Sequence, residues 1–390
     1  MMFDMIIVGG GLAGASLVLA LKNQGLKIGL IESRPPDQPD NTGWDSRVYA
    51  ISPGSAGFLQ ELGVWELLDR TRMTPVYEMV VFGDDNASRL DFGAYDCGLP
   101  ELAWIIENRQ LQAAAWSELQ RAQAREEVTL FCPAQCAGIA WQDNCVTLQL
   151  NDGRSLESTL VVAADGIHSW VRQQAQIAVS QHAYRQVGIV ANFSTEQAHR
   201  HIAHQWFRRD GVLALLPLPE RRVSMVWSAN EDHAHQLLGL GGEVLSDEVA
   251  AASGNVLGRL KMITSPVAFP LGFMHATKLV QSRLALIGDA AHGIHPLAGQ
   301  GINLGLRDVR ELARTIIGRG LQEDCGDYFL LRRYERARKE DILAMELVTD
   351  GLQKLFNNSH PTLSRLRNLG LDMTNRLSWV KNRLMQHALD

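Results

Sequence analysis

The chain contains 390 residues, of which 46% are hydrophobic and 21% are charged, and its formal net charge is -6. That length exceeds what one core usually fills, so we expect two domains or one large composite domain. The composition is that of an ordinary folded protein, not of a disordered or coiled-coil one. The negative charge argues against nucleic acid as a partner.

The cysteines and the apolar N-terminal stretch indicate a cytoplasmic protein without a metal site. Cys132 and Cys136 have no second pair or histidine cluster that would complete a zinc site, and the total of five cysteines is odd. Met5–Leu21 contains no charged residue. It lacks a basic n-region and its glycines are patterned, so we interpret it neither as a signal peptide nor as a membrane span. We therefore expect any contact with the inner membrane to be peripheral.

The first thirty residues predict a strand, a glycine-rich turn, a helix and a second strand. Met5–Val8 is a buried-strand run, Gly9, Gly11 and Gly14 follow it in the spacing G-x-G-x-x-G, and the second strand ends in Glu32. These glycines allow a tight turn, a close approach of the backbone to a pyrophosphate and close helix–strand packing, while the acid can accept hydrogen bonds from a ribose. The pattern predicts a dinucleotide site, but it does not distinguish nicotinamide from flavin.

Two arginines near predicted helix starts leave two interpretations open. Arg47 precedes the helix that carries Leu59, and Arg109 follows the strand Trp104–Glu107 at the start of the next helix. Each could be a surface residue or a helix-cap partner. The functional alternative is a cationic fork close to an anionic cofactor.

The next stretch predicts a small sheet and a second strand that ends in an acid. Val128–Phe131, Ala137–Trp141 and Val146–Leu150 have the pattern of short antiparallel strands. Leu160–Ala164 is a further apolar strand, and it ends at Asp165-Gly166.

The region from about Tyr184 to Phe269 has the alternation typical of a sheet, and we expect it to form a second domain. Arg209-Asp210-Gly211 is a hairpin-type turn, and Gln236–Met262 is predicted to be mostly helical. We expect the face of this sheet that covers the substrate to carry five large apolar side chains: Trp206, Leu213, Leu215, Met225 and Trp227.

Leu284–Asp308 predicts another strand, a carboxylate, a Gly/Pro loop and a helix start. The strand turns at Gly288-Asp289, and the helix runs from about Ile302 to Arg319. Backbone amides at such a helix start can face an anionic ligand.

The last segment, Pro361–Asp390, predicts a basic amphipathic helix. It would either pack on its own protein or present a face to a membrane surface or a partner protein.

Three motifs in chain order resemble the single-component flavin aromatic hydroxylases, the group that includes para-hydroxybenzoate hydroxylase. They are the glycine motif with Glu32, the stretch from Ala164 to Arg172, and the stretch from Gly288 to Pro296. The run His295–Asp308 is similar to the ubiquinone-biosynthesis hydroxylases in particular, as are 332–336 and 366–371. The resemblance covers essentially the whole chain.

The resemblance implies an α/β fold with a Rossmann-like FAD-binding domain, an inserted β-sheet substrate domain and a helical C-terminus. The FAD-binding domain would comprise residues 1–73, 103–180 and 270–345, the substrate domain 74–102 and 181–269, and the C-terminal helical segment 346–390. The residues implied to hold FAD are Gly9, Gly11, Ala13, Gly14, Glu32, Arg47, Arg109, Asp165, Asp289, Gly301, Ile302 and Asn303.

The implied reaction is hydroxylation of the aromatic ring of a polyprenylated phenol in ubiquinone biosynthesis, with O2 and a flavin hydroperoxide. NAD(P)H or a redox partner protein would supply electrons. No residue identifies itself as a catalytic base, and we expect His292 and His295 to be structural. Two alternatives stay open: a flavin-dependent reductase of prenyl-type substrates, and a flavin-bearing scaffold subunit of a biosynthetic complex. The sequence also leaves open which ring carbon is hydroxylated and how long the substrate tail is. It does not decide whether other ubiquinone-biosynthesis proteins are partners or whether the protein is a homo-oligomer.

Overall fold

The computed structural model describes residues 2–36, 43–83, 88–208, 211–293, 301–320 and 323–356. The predicted turn residues Arg209 and Asp210, the predicted structural His295 and the predicted helix Pro361–Asp390 therefore lie outside the described residues.

The described residues form strands and helices in the following order. The strands are β1 (Met2–Val8), β2 (Ile28–Ile31), β3 (Val48–Ile51), β4 (Thr74–Val76), β5 (Glu78–Phe82), β6 (Arg89–Gly93), β7 (Ala103–Glu107), β8 (Thr129–Phe131), β9 (Cys136–Trp141), β10 (Val146–Leu150), β11 (Ser155–Ala163), β12 (Val179–Thr195), β13 (Ile202–Arg208), β14 (Gly211–Leu218), β15 (Arg222–Asn230), β16 (Leu260–Met262), β17 (Val267–Ala276), β18 (Val280–Gln281), β19 (Leu284–Leu286) and β20 (His292–Gly293). The α-helices are α1 (Leu12–Leu21), α2 (Pro53–Glu61), α3 (Asn108–Ala124), α4 (Trp170–Gln174), α5 (Glu231–Leu238), α6 (Gly242–Ala252), α7 (Gly301–Ile317) and α8 (Tyr328–Phe356).

An eight-stranded sheet carries the glycine motif. Its order is β18-β19-β11-β1-β2-β8, with β10 and β9 added through β11. Strands β19, β11, β1, β2 and β8 are parallel to one another. The central strands are largely apolar and buried, as in β2, because helices cover both faces of a parallel sheet. The Rossmann-like prediction is confirmed.

A nine-stranded sheet forms the second layer. Its order is β20-β17-β12-β15-β14-β13-β5-β6, with β16 paired to β12, and a three-stranded sheet β3-β7-β4 lies apart from both. One face of the nine-stranded sheet packs on α5 and α6 around Trp227, Leu237 and Val249. The division into an FAD-binding and a substrate domain stays a proposal, because β12 and β17 both run across its boundaries.

One local prediction was wrong, and a second was too broad. Thr129–Phe131 is parallel to β2, not antiparallel, because α3 reverses the chain before it and a crossover helix permits parallel pairing. Gln236–Met262 is not helical to its end, because Leu260–Met262 pairs with β12 as an edge strand.

Candidate active site

Four motif residues meet at one edge of the parallel sheet. Gly9, Glu32 and Asp165 follow the carboxyl ends of β1, β2 and β11, and Asp289 follows β19. Since these four strands are adjacent and parallel, their carboxyl ends lie side by side. Ligands of open α/β sheets bind at this edge.

The glycine turn leaves room for a ligand at one position only. Gly9 has φ +105°, and a Cβ on it would lie 2.3 Å from the carbonyl oxygen of Ala164. A Cβ on Gly14 would lie 2.0 Å from the carbonyl oxygen of Gly9. Around Gly11, by contrast, no described atom would come within 4 Å of an added Cβ. Packing of the chain therefore explains Gly9 and Gly14, whereas Gly11 borders open space at the start of α1, which fits the diphosphate of a dinucleotide.

Glu32 is oriented by the glycine turn itself. Its carboxylate accepts a hydrogen bond of 2.6 Å from the Gly10 amide and one of 2.8 Å from the Ser33 hydroxyl. The Trp116 indole donates to the Gly10 carbonyl at 2.8 Å and holds the turn from α3. The acid is thus fixed beside the turn, as a ribose-binding carboxylate requires.

The turn at Gly288 lies between α1 and α7. Gly288 has φ +57°, and a Cβ on it would lie 3.3 Å from Cβ of Ala13 in α1. A Cβ on Gly305 of α7 would lie 3.4 Å from the Cα of Gly288. These small residues allow the turn before Asp289 to approach both the glycine motif and the start of α7.

Asp289 lines a cavity that the described residues enclose. Burial raises the pKa of its carboxyl group, and the positive charges of His292 and Arg47 oppose that shift. The side chain is accessible from the cavity, and its carboxylate has no hydrogen-bond partner among the described residues.

A buried charge network fastens this turn to the two following helices. Asp308 of α7 contacts the His292 ring at 2.6 Å and the Arg338 guanidinium at 2.8 Å, and it accepts a hydrogen bond of 2.9 Å from the Gly288 amide. Burial alone would raise the pKa of Asp308, but His292 and Arg338 outweigh it and hold that pKa below its usual value. Burial would likewise lower the pKa of His292, but Asp308 raises it. His292 is therefore a buried member of this network, and its structural role stays a prediction.

The stretch from Ala164 to Arg172 connects the end of β11 to the turn that follows β19. Asp165 accepts hydrogen bonds from the Ser169 hydroxyl and the Val171 amide, and burial raises the pKa of its carboxyl group. Arg172 donates to the carbonyl of Ala290 at 2.7 Å. Asp165 therefore holds the first turn of α4, whose N-cap is Ser169, and Arg172 holds the turn that contains Asp289.

A second buried carboxylate, Glu107, positions the loop before β3. Its oxygens accept from the Arg72 guanidinium at 2.8 and 2.9 Å, from Arg109 at 3.2 Å and from the Asp45 amide at 2.6 Å. Arg109 does not line the cavity; it also donates to the Gly43 carbonyl. Arg72 and Glu107 were missed in the sequence, since their pairing is a long-range contact without a local motif.

Some of the other predicted residues line the cavity, and others hold the segments that surround it. Arg47 lines the cavity, with its guanidinium 5.4 Å from the Tyr49 ring. Burial raises the pKa of Tyr49, against the influence of Arg47. Gly301 and Ile302 also line the cavity. The Asn303 amide instead ties α7 to the start of α2, because it accepts from the Ser52 amide at 3.1 Å and donates to the Ala50 carbonyl at 2.8 Å.

The cavity has a volume of about 570 Å³ and joins the sheet edge to the nine-stranded sheet. Polar groups occupy one side, among them Asp45, Arg47 and Asp289. The wall that the nine-stranded sheet provides is mainly apolar and comes from β12, β13, β14, β15 and β17: Gly188, Val190, Gln205, Val212, Ala214, Leu216, Val226, Ser228, Val267, Phe269 and Leu271.

The predicted substrate roof was placed on the wrong face of the right sheet. Trp206, Leu213, Leu215, Met225 and Trp227 are buried in the core beneath α5 and α6. Because successive side chains of a strand alternate between faces, the cavity is lined by their neighbours, such as Val212, Ala214 and Val226.

The fold and the site define a flavin-dependent monooxygenase. Residues 2–347 match the family model of the FAD binding domain. The solved structure of p-nitrophenol 4-monooxygenase PnpA from Pseudomonas putida DLL-E4 superimposes with a TM-score of 0.79, covering 99% of this chain and 98% of that one. At 16% identity, this likeness shows the fold alone.

Sequence relatives narrow the class to a family. The chain is 35% identical to "Ubiquinone hydroxylase UbiL" of Rhodospirillum rubrum, over 99% of this chain and 89% of that protein. It is also 35% identical to "3-demethoxyubiquinol 3-hydroxylase" of Escherichia coli (strain K12), over 99% of this chain and 98% of that one. The chain belongs to the FAD-dependent hydroxylases of ubiquinone biosynthesis, and the family predicted from its motifs is confirmed.

Proposed function

We propose that this protein hydroxylates the aromatic ring of a polyprenylated phenol intermediate of ubiquinone. The observation that carries the proposal is the cavity, which joins Asp289 and the start of α7 to an apolar sheet wall. The names of the two relatives support a substrate from this pathway. Two exposed apolar residues, Ile167 (39% exposed) and Val267 (51% exposed), line the same cavity and suit a substrate with an apolar tail.

The open space at Gly11 and the oriented carboxylate of Glu32 fit the adenosine diphosphate half of FAD. We assign Gly9, Ala13 and Gly14 to the same half through their packing around the turn. For the flavin half we assign Arg47, Asp289, Gly301, Ile302 and Asn303, with Asn303 acting through its backbone. Arg109 and Asp165 support neighbouring backbone in the structure, so we propose that they act on FAD through the loops that they hold.

FAD, when bound, supplies the redox chemistry and the activation of oxygen. The protein's own contribution is electrostatic and steric. The start of α7 presents backbone amides toward negative charge that develops nearby. The apolar wall excludes water from the reacting ring. Tyr49 keeps the proton on its Oη at neutral pH, since the ordinary pKa of tyrosine is already about 10 and burial raises it further, so the hydroxyl can donate a hydrogen bond in the cavity.

Oxygen uptake separates this proposal from the two alternatives. The purified protein, supplied with NADPH, NADH or a reduced redox protein, is incubated with a short-chain polyprenyl phenol. A hydroxylase forms a product that carries one atom of ¹⁸O from ¹⁸O2. A reductase forms a reduced prenyl chain without oxygen, and a scaffold subunit retains FAD but forms neither product. Absence of FAD from the denatured protein would contradict the central assignment.

Partners and location are proposed from the substrate. A polyprenyl phenol resides in a membrane, so we propose peripheral contact with the inner membrane and association with other ubiquinone-biosynthesis proteins. Within the described part of the chain, no helix has the length and apolarity needed to cross a bilayer. Deleting the gene and identifying the quinone intermediate that accumulates would determine which ring carbon is hydroxylated.

A further inference from the structure

One row of paired residues crosses the cavity wall from end to end. Gln205 of β13 pairs with Ala214 of β14, Ala214 with Val226 of β15, Val226 with Val190 of β12, and Val190 with Val267 of β17. All five line the cavity. Four strand spacings make this row roughly 19 Å long. Gln205 is its only polar member.

Gln205 is buried without a partner for its side chain. It is 5% exposed, and its amide forms no hydrogen bond with the residues that the structure describes. The other polar side chain that this sheet presents to the cavity, Ser228, differs in this respect. Its hydroxyl is within 3.2 Å of both the amide and the carbonyl of Val212. Buried polar groups are normally hydrogen-bonded to protein or to water, so an unpartnered amide that faces a cavity is available to bond to a ligand there.

We propose that Gln205 orients the substrate by hydrogen bonding to an oxygen substituent of its aromatic ring, an inference that rests on the proposed function. The side-chain amide of Gln205 can bond to that oxygen whether or not the oxygen carries a proton. Its carbonyl accepts from a phenolic O–H, and its N–H groups donate to a quinone or methoxy oxygen.

The row also gives the substrate a direction. Gln205 is buried at one end, and Val267 is 51% exposed at the other. When Gln205 binds a ring oxygen, the apolar part of the substrate therefore lies along Ala214, Val226 and Val190 and points toward Val267. Such an orientation determines which ring carbon faces the reaction centre, so Gln205 is a specificity-determining residue.

The test compares two variants of β13. Gln205→Met keeps the length of the side chain but removes its hydrogen bonding, whereas His204→Met changes the neighbouring residue, which faces the other way and stacks on Trp206 at 5.7 Å. Each purified holoprotein is titrated with a short-chain phenol and with analogues that lack one ring oxygen. Dissociation constants are read from the change in flavin absorbance, and the position of hydroxylation is determined on the product.

We expect the unmodified protein to bind the phenol roughly 3- to 10-fold more tightly than one of the analogues, because one hydrogen bond is lost. Gln205→Met should lose this discrimination and give a mixture of products, whereas His204→Met should retain both the discrimination and the single product. Undiminished discrimination in Gln205→Met would overturn the role of Gln205 while leaving the proposed function intact. If the unmodified protein bound none of the phenols, the proposed substrate class itself would fail.

Discussion

Replacing Asp308 with asparagine should destabilise the protein strongly and weaken its hold on FAD. Asp308 is fully buried between two cations, His292 and Arg338, and it also accepts from the Gly288 amide. The substitution keeps the shape of the side chain and one acceptor oxygen, but it removes the negative charge that compensates the buried guanidinium of Arg338.

The structure limits the size of the effect. Breaking a buried ion pair by removing the charge of one partner costs about 3–5 kcal/mol. Arg338 keeps its contact with Asp341, whose side chain is 47% exposed, and the amide oxygen of the introduced asparagine could still accept from Gly288. We therefore expect the lower end, about 3 kcal/mol. With an unfolding entropy of roughly 2.1 cal/mol/K per residue, or about 0.8 kcal/mol/K for a chain of 390 residues, Tm should fall by about 4 °C.

Thermal unfolding of the FAD-free protein measures this loss, and flavin fluorescence during FAD titration measures the affinity. Glu311→Gln is the matched control on the same helix, because Glu311 pairs with Arg314, whose side chain is 77% exposed. Such a surface pair contributes at most about 1 kcal/mol. Equal Tm values for Asp308→Asn and Glu311→Gln would refute the reasoning that the network is an energetic link between the turn and the helices.

Three further outcomes follow from the same geometry. Asp289→Asn should leave the Tm of the FAD-free protein unchanged, since its carboxylate has no described hydrogen bond, but should weaken FAD binding roughly 10- to 100-fold in a fluorescence titration. Gly14→Ala should cost roughly 3 kcal/mol in chemical unfolding and yield protein without FAD, because the new Cβ would lie 2.0 Å from the Gly9 carbonyl oxygen. The stability difference between the unmodified protein and Asp308→Asn should be largest near neutral pH. It should shrink in acid as pH falls through the lowered pKa of Asp308, and in alkali as pH rises through the raised pKa of His292, in unfolding curves recorded across pH.

The strand ends of the parallel sheet were predictable because their signals are local. A buried apolar run followed by glycine or an acid marks each end, and parallel pairing brings the ends together. The networks that support them were not predictable in this way. Asp308 lies on α7 and Arg338 on α8. Glu107, at the end of β7, pairs with Arg72, which lies just before β4. No periodicity connects such residues, since only the tertiary fold determines which buried charges meet.

The nine-stranded sheet shows why correct strands do not identify a binding face. Both faces of β14 and β15 are buried. Their sequences therefore lack the polar–apolar alternation that would distinguish one face of the sheet from the other. Size is the remaining signal. Trp206, Met225 and Trp227 fill the space beneath α5 and α6, whereas Gly188, Ala214 and their neighbours face the cavity. Large aromatic side chains occupy volume, and a ligand requires volume that is left unoccupied. In a sheet covered on both sides, the face with small side chains is therefore the one to choose as the substrate wall.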